Sequence, residues 1–591
     1  MRFLGQILAT IIGIFIFFML IFFGFMIFGA IFGGSDKVSV EKNSVLELDL
    51  SSIQMDYAGK FTDPIFVMLN EKQNGFVDVL NAIEYAKSDE KIKGISLLNS
   101  NYFLGTAQAK ALRMKLEDFK KSKKFIVSYG DLYLQDSYYV NSIADTLYLN
   151  PAGAIDFKGL ASEVMYYKDF QDQTGIKMEV IRHGKYKSAV EGYLDNKMSD
   201  ENRDQISQLL NSIWSEMSKD IAKTRRLTTA KIDEIANGHL ARTPELAKAN
   251  GLIDKIGYED EYHDGIRKAL GYKKDEKYTS LPINDYINSG IVLQKFKSAK
   301  DQIAVIYAQG MILPGEGSIN IVSEGAMRKS IKEAREDDKI KAIVLRIDSP
   351  GGAALTSELI WREIQLTKGK KPVVVSMGNV AASGGYYIAA NADYIFAEPT
   401  TITGSIGVFG QIPNLHGIAT KYGINAEQVQ THENSLEYSL FEPLKPETAA
   451  IIQEGVENVY DMFIKRVSEG RKMTKEQVNE IGQGRVWTGV QAKANGLVDA
   501  LGSLDDALAY AAKLSKIKEY KTVNYPVFND EFDPAQFFNY IGLKESKETF
   551  IKNEIGAENY QIIQQFRRLQ QVKGTQMMMP YELNVFNKRN F

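Results

Sequence analysis

Three short stretches of this sequence carry the residue types from which nucleophilic catalysis is built. The first is Gly378-Asn379-Val380-Ala381-Ala382-Ser383-Gly384-Gly385-Tyr386-Tyr387. Small residues on both sides leave the Ser383 hydroxyl uncrowded, and the glycines permit a tight turn into a following helix, the mechanical logic of nucleophile elbows. The second is Asp348-Ser349-Pro350-Gly351-Gly352. Adjacent glycines at a strand end let backbone N–H groups come close to a ligand and point at a developing oxyanion. The third is His183-Gly184-Lys185-Tyr186-Lys187-Ser188-Ala189, which offers a base. A serine hydroxyl is a poor nucleophile until a neighbouring base takes its proton. A lysine, with an ordinary pKa of about 10.4, can be that base only when desolvated. Each stretch also has a plainer meaning. Gly-Gly is most often only a turn, Ala-Ser-Gly most often close packing, and Lys187 beside Arg182, His183 and Lys185 fits a solvated basic patch. Lys185 is a second candidate base. His183 is a third, with no evident carboxylate to orient it.

The chain repeats itself, and this bears on those residues. Asp89-Glu90-Lys91-Ile92-Lys93-Gly94-Ile95 is echoed by Asp337-Asp338-Lys339-Ile340-Lys341-Ala342-Ile343. Tyr138-Tyr139 matches Tyr386-Tyr387, Ala144-Asp145 matches Ala392-Asp393, and Pro151 matches Pro399, all in one register (340 − 92 = 248). Ala247 to Asp254 recurs as Ala492 to Asp499. Two long copies mean tandem domains, since a solenoid shows shorter and more numerous periods. The copies then act as each other's control. Where the second has Ser349 to Gly352, the first has Asn101-Tyr102-Phe103-Leu104, without glycines. Where the second has Ser383-Gly384-Gly385, the first has Gln135-Asp136-Ser137. Lys187, in turn, is matched by Ser435. One half keeps a nucleophile and oxyanion turn and the other keeps a base, the pattern of one composite site.

Positioning these groups calls for short buried strands alternating with helices. Ile303–Tyr307, Ala342–Ile347, Pro372–Ser376 and Tyr394–Ala397 read as branched-aliphatic strands, and Ala326 to Glu336 as a helix. The expected fold is α/β, built from parallel βαβ units. Ahead of it, Ile7 to Phe32 is uncharged and apolar. A bilayer core takes about 20 helical residues, and a cleavable leader would have a shorter apolar region, so one uncleaved transmembrane anchor is expected. Arg2 and the amino terminus against Lys37 and Lys42 leave its orientation nearly balanced. The expected domains are therefore an anchor at 1–35, a first repeat at 36–295, a second at 296–518, and a tail at 519–591 without a counterpart in the first copy. The absence of cysteine excludes disulfides and thiolate chemistry. Five scattered histidines make a metal site a poor expectation, and a net charge of -3 gives no reason to expect nucleic acid.

With YKSA, SPGG, ASGGYY, TGSIGV and AKANGLVD in this order, the chain from its anchor to about Gly502 resembles the signal peptide peptidase A family in its duplicated bacterial form. The resemblance implies a ClpP/crotonase-like fold in each copy and a Ser-Lys dyad with Ser383 as nucleophile and Lys187 as base. It further implies a membrane-tethered oligomer, usually a tetramer, degrading remnant signal peptides on the outer, periplasmic side of the bacterial cytoplasmic membrane, with no cofactor. Ser405, in Thr403-Gly404-Ser405-Ile406-Gly407, is by the same resemblance placed to position the lysine. Val190-Glu191-Gly192 follows YKSA where the family often has Val-Glu-Pro, a minor departure. The expected mechanism is deprotonation of Ser383 by a buried Lys187, with the oxyanion held near Gly351, Gly352 and Gly384. An apolar, extended peptide is the natural substrate. Two other classes share these features: an acyl-CoA enzyme of crotonase type, since fold does not fix function, and a non-catalytic membrane scaffold.

Overall fold

The strands of the second half are buried on both faces, which is why they read as continuous aliphatic runs. Ala304, Ile306 and Ala308 pack into one apolar cluster, while Ile303, Val305 and Tyr307 pack into another on the opposite face. A parallel sheet covered on both sides demands this pattern. The computed structural model describes residues 12–20, 22–24, 39–51, 53, 55–61, 74–99, 104–290, 299–432, 435–436, 438–528 and 576–578.

Both halves contain the same six parallel strands, and in the second Ile402–Gly404 also pairs with Val373–Ala382 and carries Val486–Thr488 antiparallel on its far side. In the first, the strand order is Lys255–Ile256, Thr146–Asp156, Phe125–Leu134, Ile92–Leu98, Ser44–Glu47, Ser280–Pro282. In the second it is Ala500–Leu501, Tyr394–Ala397, Val373–Ala382, Ile340–Ser349, Gln302–Gln309, Lys521–Tyr525. The four expected strands are all present, as is the helix, at Glu324–Glu336. Each half also has a 26-residue helix, Asp200–Arg225 and Pro446–Arg471, ended by a left-handed cap residue, Arg226 or Lys472. The duplication is thus carried by the fold as well as by the motifs.

One boundary needs correction. Lys521–Tyr525 occupies the sheet edge that Ser280–Pro282 occupies in the first half. The second sheet therefore continues past residue 518, and the region after 519 begins with a counterpart of the first copy. The expected anchor falls largely outside the described residues. Of it, 12–20 and 22–24 are helical, with Phe15 and Leu20 exposed. Among the described residues no helix is long and apolar enough to cross a membrane.

Two of the contacts that join the halves stand out. Lys177–His183 of the first pairs antiparallel with Val408–Asn414 of the second, so both halves contribute to one further sheet. Arg346 donates through Nε to Asp56 Oδ2 at 2.6 Å, with both side chains buried. Gln108 Nε2 donates to the other Asp56 oxygen at 2.9 Å, and Arg346 also reaches Ser376 Oγ and the Met377 carbonyl.

Candidate active site

Ser383 stands at the junction of the strand Val373–Ala382 and the helix Gly384–Ala389. Its backbone has φ 54° and ψ −117°, a conformation L-residues rarely adopt. Such a residue costs about 1–3 kcal/mol and persists only where its surroundings over-determine it. Here Ser383 N–H donates to the Gly404 carbonyl at 2.8 Å, and its own carbonyl accepts from Tyr387 N–H at 2.8 Å. The glycines after it are required by contact. A Cβ on Gly385 would fall 2.7 Å from the Ser349 carbonyl, and one on Gly384 would fall 2.7 Å from Ser357 Oγ.

Lys187 arrives from the other half and is wholly buried. Its Nζ lies 3.1 Å from Ser383 Oγ, 3.0 Å from Ser405 Oγ and 3.3 Å from the Ser405 carbonyl. Burial pushes its pKa well below the ordinary lysine range, with no carboxylate contributing. A neutral amine has two N–H donors and one lone pair. With both N–H groups given to Ser405, the lone pair faces the Ser383 hydroxyl; once protonated, the third N–H has the same partner. Ser405 Oγ in turn reaches the Gly484 carbonyl at 3.4 Å, leaving its lone pairs to accept from the lysine. Like Ser383, Ser405 is held at a left-handed φ, here 50°.

The other candidate bases lie elsewhere. Lys185 is exposed, its amine over the Tyr186 ring. His183 stacks on Tyr460 and turns Nδ1 to Glu457 at 2.6 Å. Ser435, the register partner of Lys187, is exposed in a loop. At the position matching Ser383, the first half uses Gln135 as scaffolding: its side chain accepts from Lys158 N–H and Gly159 N–H and donates to the Gly159 carbonyl.

The three glycines expected to hold the oxyanion, Gly351, Gly352 and Gly384, gather beside Ser383. A Cβ on Gly351, whose φ is 102°, would fall 2.7 Å from Gly384 N, and one on Gly384 would fall 3.2 Å from Gly352 N. The N–H of Gly351 itself is directed at Ser349 Oγ, 3.2 Å away.

A buried amine against a strained serine, with bare backbone alongside, is an arrangement suited to acyl transfer. The model of peptidase family S49 matches residues 117–273 and 365–518. The chain belongs to peptidase family S49. It is 35% identical over 523 residues to Protease 4 of Salmonella typhi, covering 85% of this chain and 83% of that one. It is 36% identical over 448 residues to Protease 4 of Haemophilus influenzae, covering 74% and 72%. It is also 34% identical over 444 residues to the chloroplastic serine protease SPPA of Arabidopsis thaliana, covering 74% of this chain and 65% of that one. This S49 peptidase is accordingly a serine protease, and its resemblance to signal peptide peptidase A holds over most of its length.

One part of the S49 peptidase's site escapes sequence reading. The loop Gly482-Gln483-Gly484 forms the floor under the lysine. Tyr186 N–H donates to the Gln483 carbonyl at 3.0 Å, and a Cβ on Gly484 would fall 2.6 Å from Lys187 N. Two glycines flanking one residue were the available signal, indistinguishable from an ordinary turn.

Proposed function

We propose that this serine protease works through a dyad in which Lys187 is the general base for Ser383. The observation that carries this is the 3.1 Å approach of a wholly buried amine to Ser383 Oγ. The neutral lysine takes the hydroxyl proton as Oγ attacks the scissile carbonyl. The resulting ammonium then protonates the departing amine, and the amine freed again activates the water that resolves the acyl-enzyme. Because Gly351 N–H is already turned to Ser349, the oxyanion donors are assigned to Gly352 and Gly384. Ser405 orients the lysine. Each step uses groups of the chain and requires no cofactor or metal.

Each half is read as a ClpP/crotonase-like domain, and the apolar segment 7–32 as a single anchor holding the body on the outer side of the bacterial cytoplasmic membrane. The exposed apolar side chains of the helical residues 12–20 support the anchor. Remnant signal peptides, apolar and extended, are the substrate class that suits a membrane-tethered peptidase. Homo-oligomer formation, as a tetramer, follows from the family resemblance.

The test is hydrolysis of a quenched apolar peptide by the full chain in detergent, wild type against Lys187→Ala. Loss of the base should lower kcat by about 10²–10⁴-fold in a folded protein. Equal activity would remove Lys187 from the mechanism. A wild type that assembles yet hydrolyses no peptide would return the acyl-CoA and scaffold readings.

A further inference from the structure

Lys187 is the central residue of an inverse γ-turn. Its φ of −78° and ψ of 68° are those of that turn, and Ser188 N–H closes it by donating to the Tyr186 carbonyl at 2.8 Å. The direction in which the amine leaves the main chain is therefore set by three residues and one internal bond. A single buried side chain grips both ends of the turn. Gln205 Nε2 donates to the Tyr186 carbonyl at 3.3 Å and to Ser188 Oγ at 3.0 Å. Its Oε1 accepts from Val486 N–H at 3.0 Å. Both N–H groups and the carbonyl of the amide are thereby used, and the opposite flip would set a donor against Val486 N–H. Asn202 Oδ1 is a more distant neighbour at 3.5 Å.

Val486 belongs to the other half. It lies opposite Gly404 in the antiparallel pair of Val486–Thr488 with Ile402–Gly404. The carbonyl of Arg485, the residue before it, accepts Ser405 N–H at 2.7 Å. Gln205 thus fastens the lysine turn of one half to the segment of the other that holds the Ser405 backbone. It is 1% exposed, in the second turn of Asp200–Arg225. Burying an amide is costly unless its groups are paired, so a position that only had to pack would be served as well by an apolar residue. The sixth residue of the matching helix Pro446–Arg471 is Ile451, which is exposed. The buried amide occurs only in the half that supplies the lysine, the same asymmetry that singles out Lys187.

We propose that Gln205 is a positioning residue for Lys187, its amide locking the γ-turn and registering it on the strand beside Ser405 so that the amine meets Ser383 Oγ. This rests on the reading of Lys187 as the base. Gln205 acts through the main chain on either side of the lysine, whose Nζ is occupied by Ser383 and Ser405. Misplacement on the order of 1 Å costs about 100-fold in rate. An interaction that matters only in the transition state lowers kcat and kcat/KM together and leaves KM alone.

The experiment measures kcat and KM of the full chain in detergent on the quenched apolar peptide for Gln205→Met and Gln205→Glu. Gln205→Met keeps the length of the side chain and removes all its hydrogen bonds; kcat should fall about 10–100-fold with KM within about twofold. Gln205→Glu keeps the acceptor for Val486 N–H but sets a negative charge beside the turn, which favours the ammonium form of the lysine. The acidic limb of kcat/KM should therefore move to higher pH. Gln171→Met is the control, since Gln171 is also a buried amide joining two backbone groups, the Tyr193 carbonyl and Met178 N–H, neither of which flanks the lysine. It should lose stability and show neither change. A folded Gln205→Met protein with the wild-type kcat, or a Gln205→Glu protein with the wild-type acidic limb, overturns the proposal. A second measurement needs no hydrolysis: the gap in melting temperature that Lys187→Met opens at neutral pH should narrow when Gln205→Glu is also present, because a raised lysine pKa lowers the cost of the buried amine. An unchanged gap overturns the proposal as well. Were Lys187→Ala to hydrolyse the peptide as fast as wild type, the base reading would fall, and the melting gap alone would decide whether Gln205 governs the lysine.

Discussion

Gly484→Ala tests whether the floor under the lysine sets the catalytic geometry. The glycine has φ 84°, and the new methyl would fall 2.6 Å from Lys187 N and 2.7 Å from its Cα and Cβ. Ordinary contact begins near 3.4 Å, and the atoms in the way are backbone and Cβ, which cannot swing aside. Relief therefore requires the Lys187 main chain to retreat by about 0.7 Å. Passed on to Nζ, that shift would stretch the 3.1 Å approach to Ser383 Oγ to about 3.8 Å, beyond hydrogen-bond reach. Misplacement on the order of 1 Å costs about 100-fold in rate, so kcat for the quenched peptide should fall by roughly that factor. The left-handed backbone adds a stability cost of about 1–2 kcal/mol. Gly423→Ala is the matched control, since Gly423 has φ 74° and nothing within 4 Å of its added methyl. It should suffer the backbone cost alone and retain full activity. A folded Gly484→Ala protein with kcat within twofold of wild type would refute the reasoning, because the lysine would then be located by something other than this contact.

Two further outcomes follow from the buried charges. Lys187 has a folded-state pKa below its unfolded value of about 10.4. Below its folded pKa the native state therefore bears the full cost of keeping or neutralising this amine, and the cost disappears as pH rises towards about 10.4. Lys187→Met should melt higher than wild type near neutral pH, with the gap narrowing as pH approaches 10; a gap constant across that range would contradict the burial argument. Asp56→Ala leaves the Arg346 guanidinium uncompensated between the halves and should cost about 3–5 kcal/mol in chemical denaturation.

The sequence exposes the composite site because duplication supplies a comparison within one chain. Ser383 and its glycines lack counterparts in the first copy, and Lys187 lacks one in the second, so both could be singled out without knowing how the halves meet. The parallel sheets were legible for a physical reason: strands buried on both faces must be aliphatic throughout. The mixed sheet was not. Gly351–Ala353 and Met311–Leu313 are three residues each, too short to show a period, and the sheet they enter is assembled from chain of both halves and from residues 576–578. Lys521–Tyr525 was missed because Lys-Thr-Val-Asn-Tyr is the mixed pattern of an edge strand. Ser405 had no distinguishing feature apart from the family resemblance; the two contacts it makes with one amine depend on how the halves meet.

Lys187 and Ser383, the proposed base and nucleophile, are separated by 196 residues of chain. A ribosome adding about 5–20 residues per second needs about 10–40 s to pass from one to the other. Throughout that interval the emerging chain has a lysine with nothing to activate, and afterwards a serine that stays inert until the two halves dock. On that mechanism, nascent neighbours at the same site of synthesis are safe from it until the halves meet.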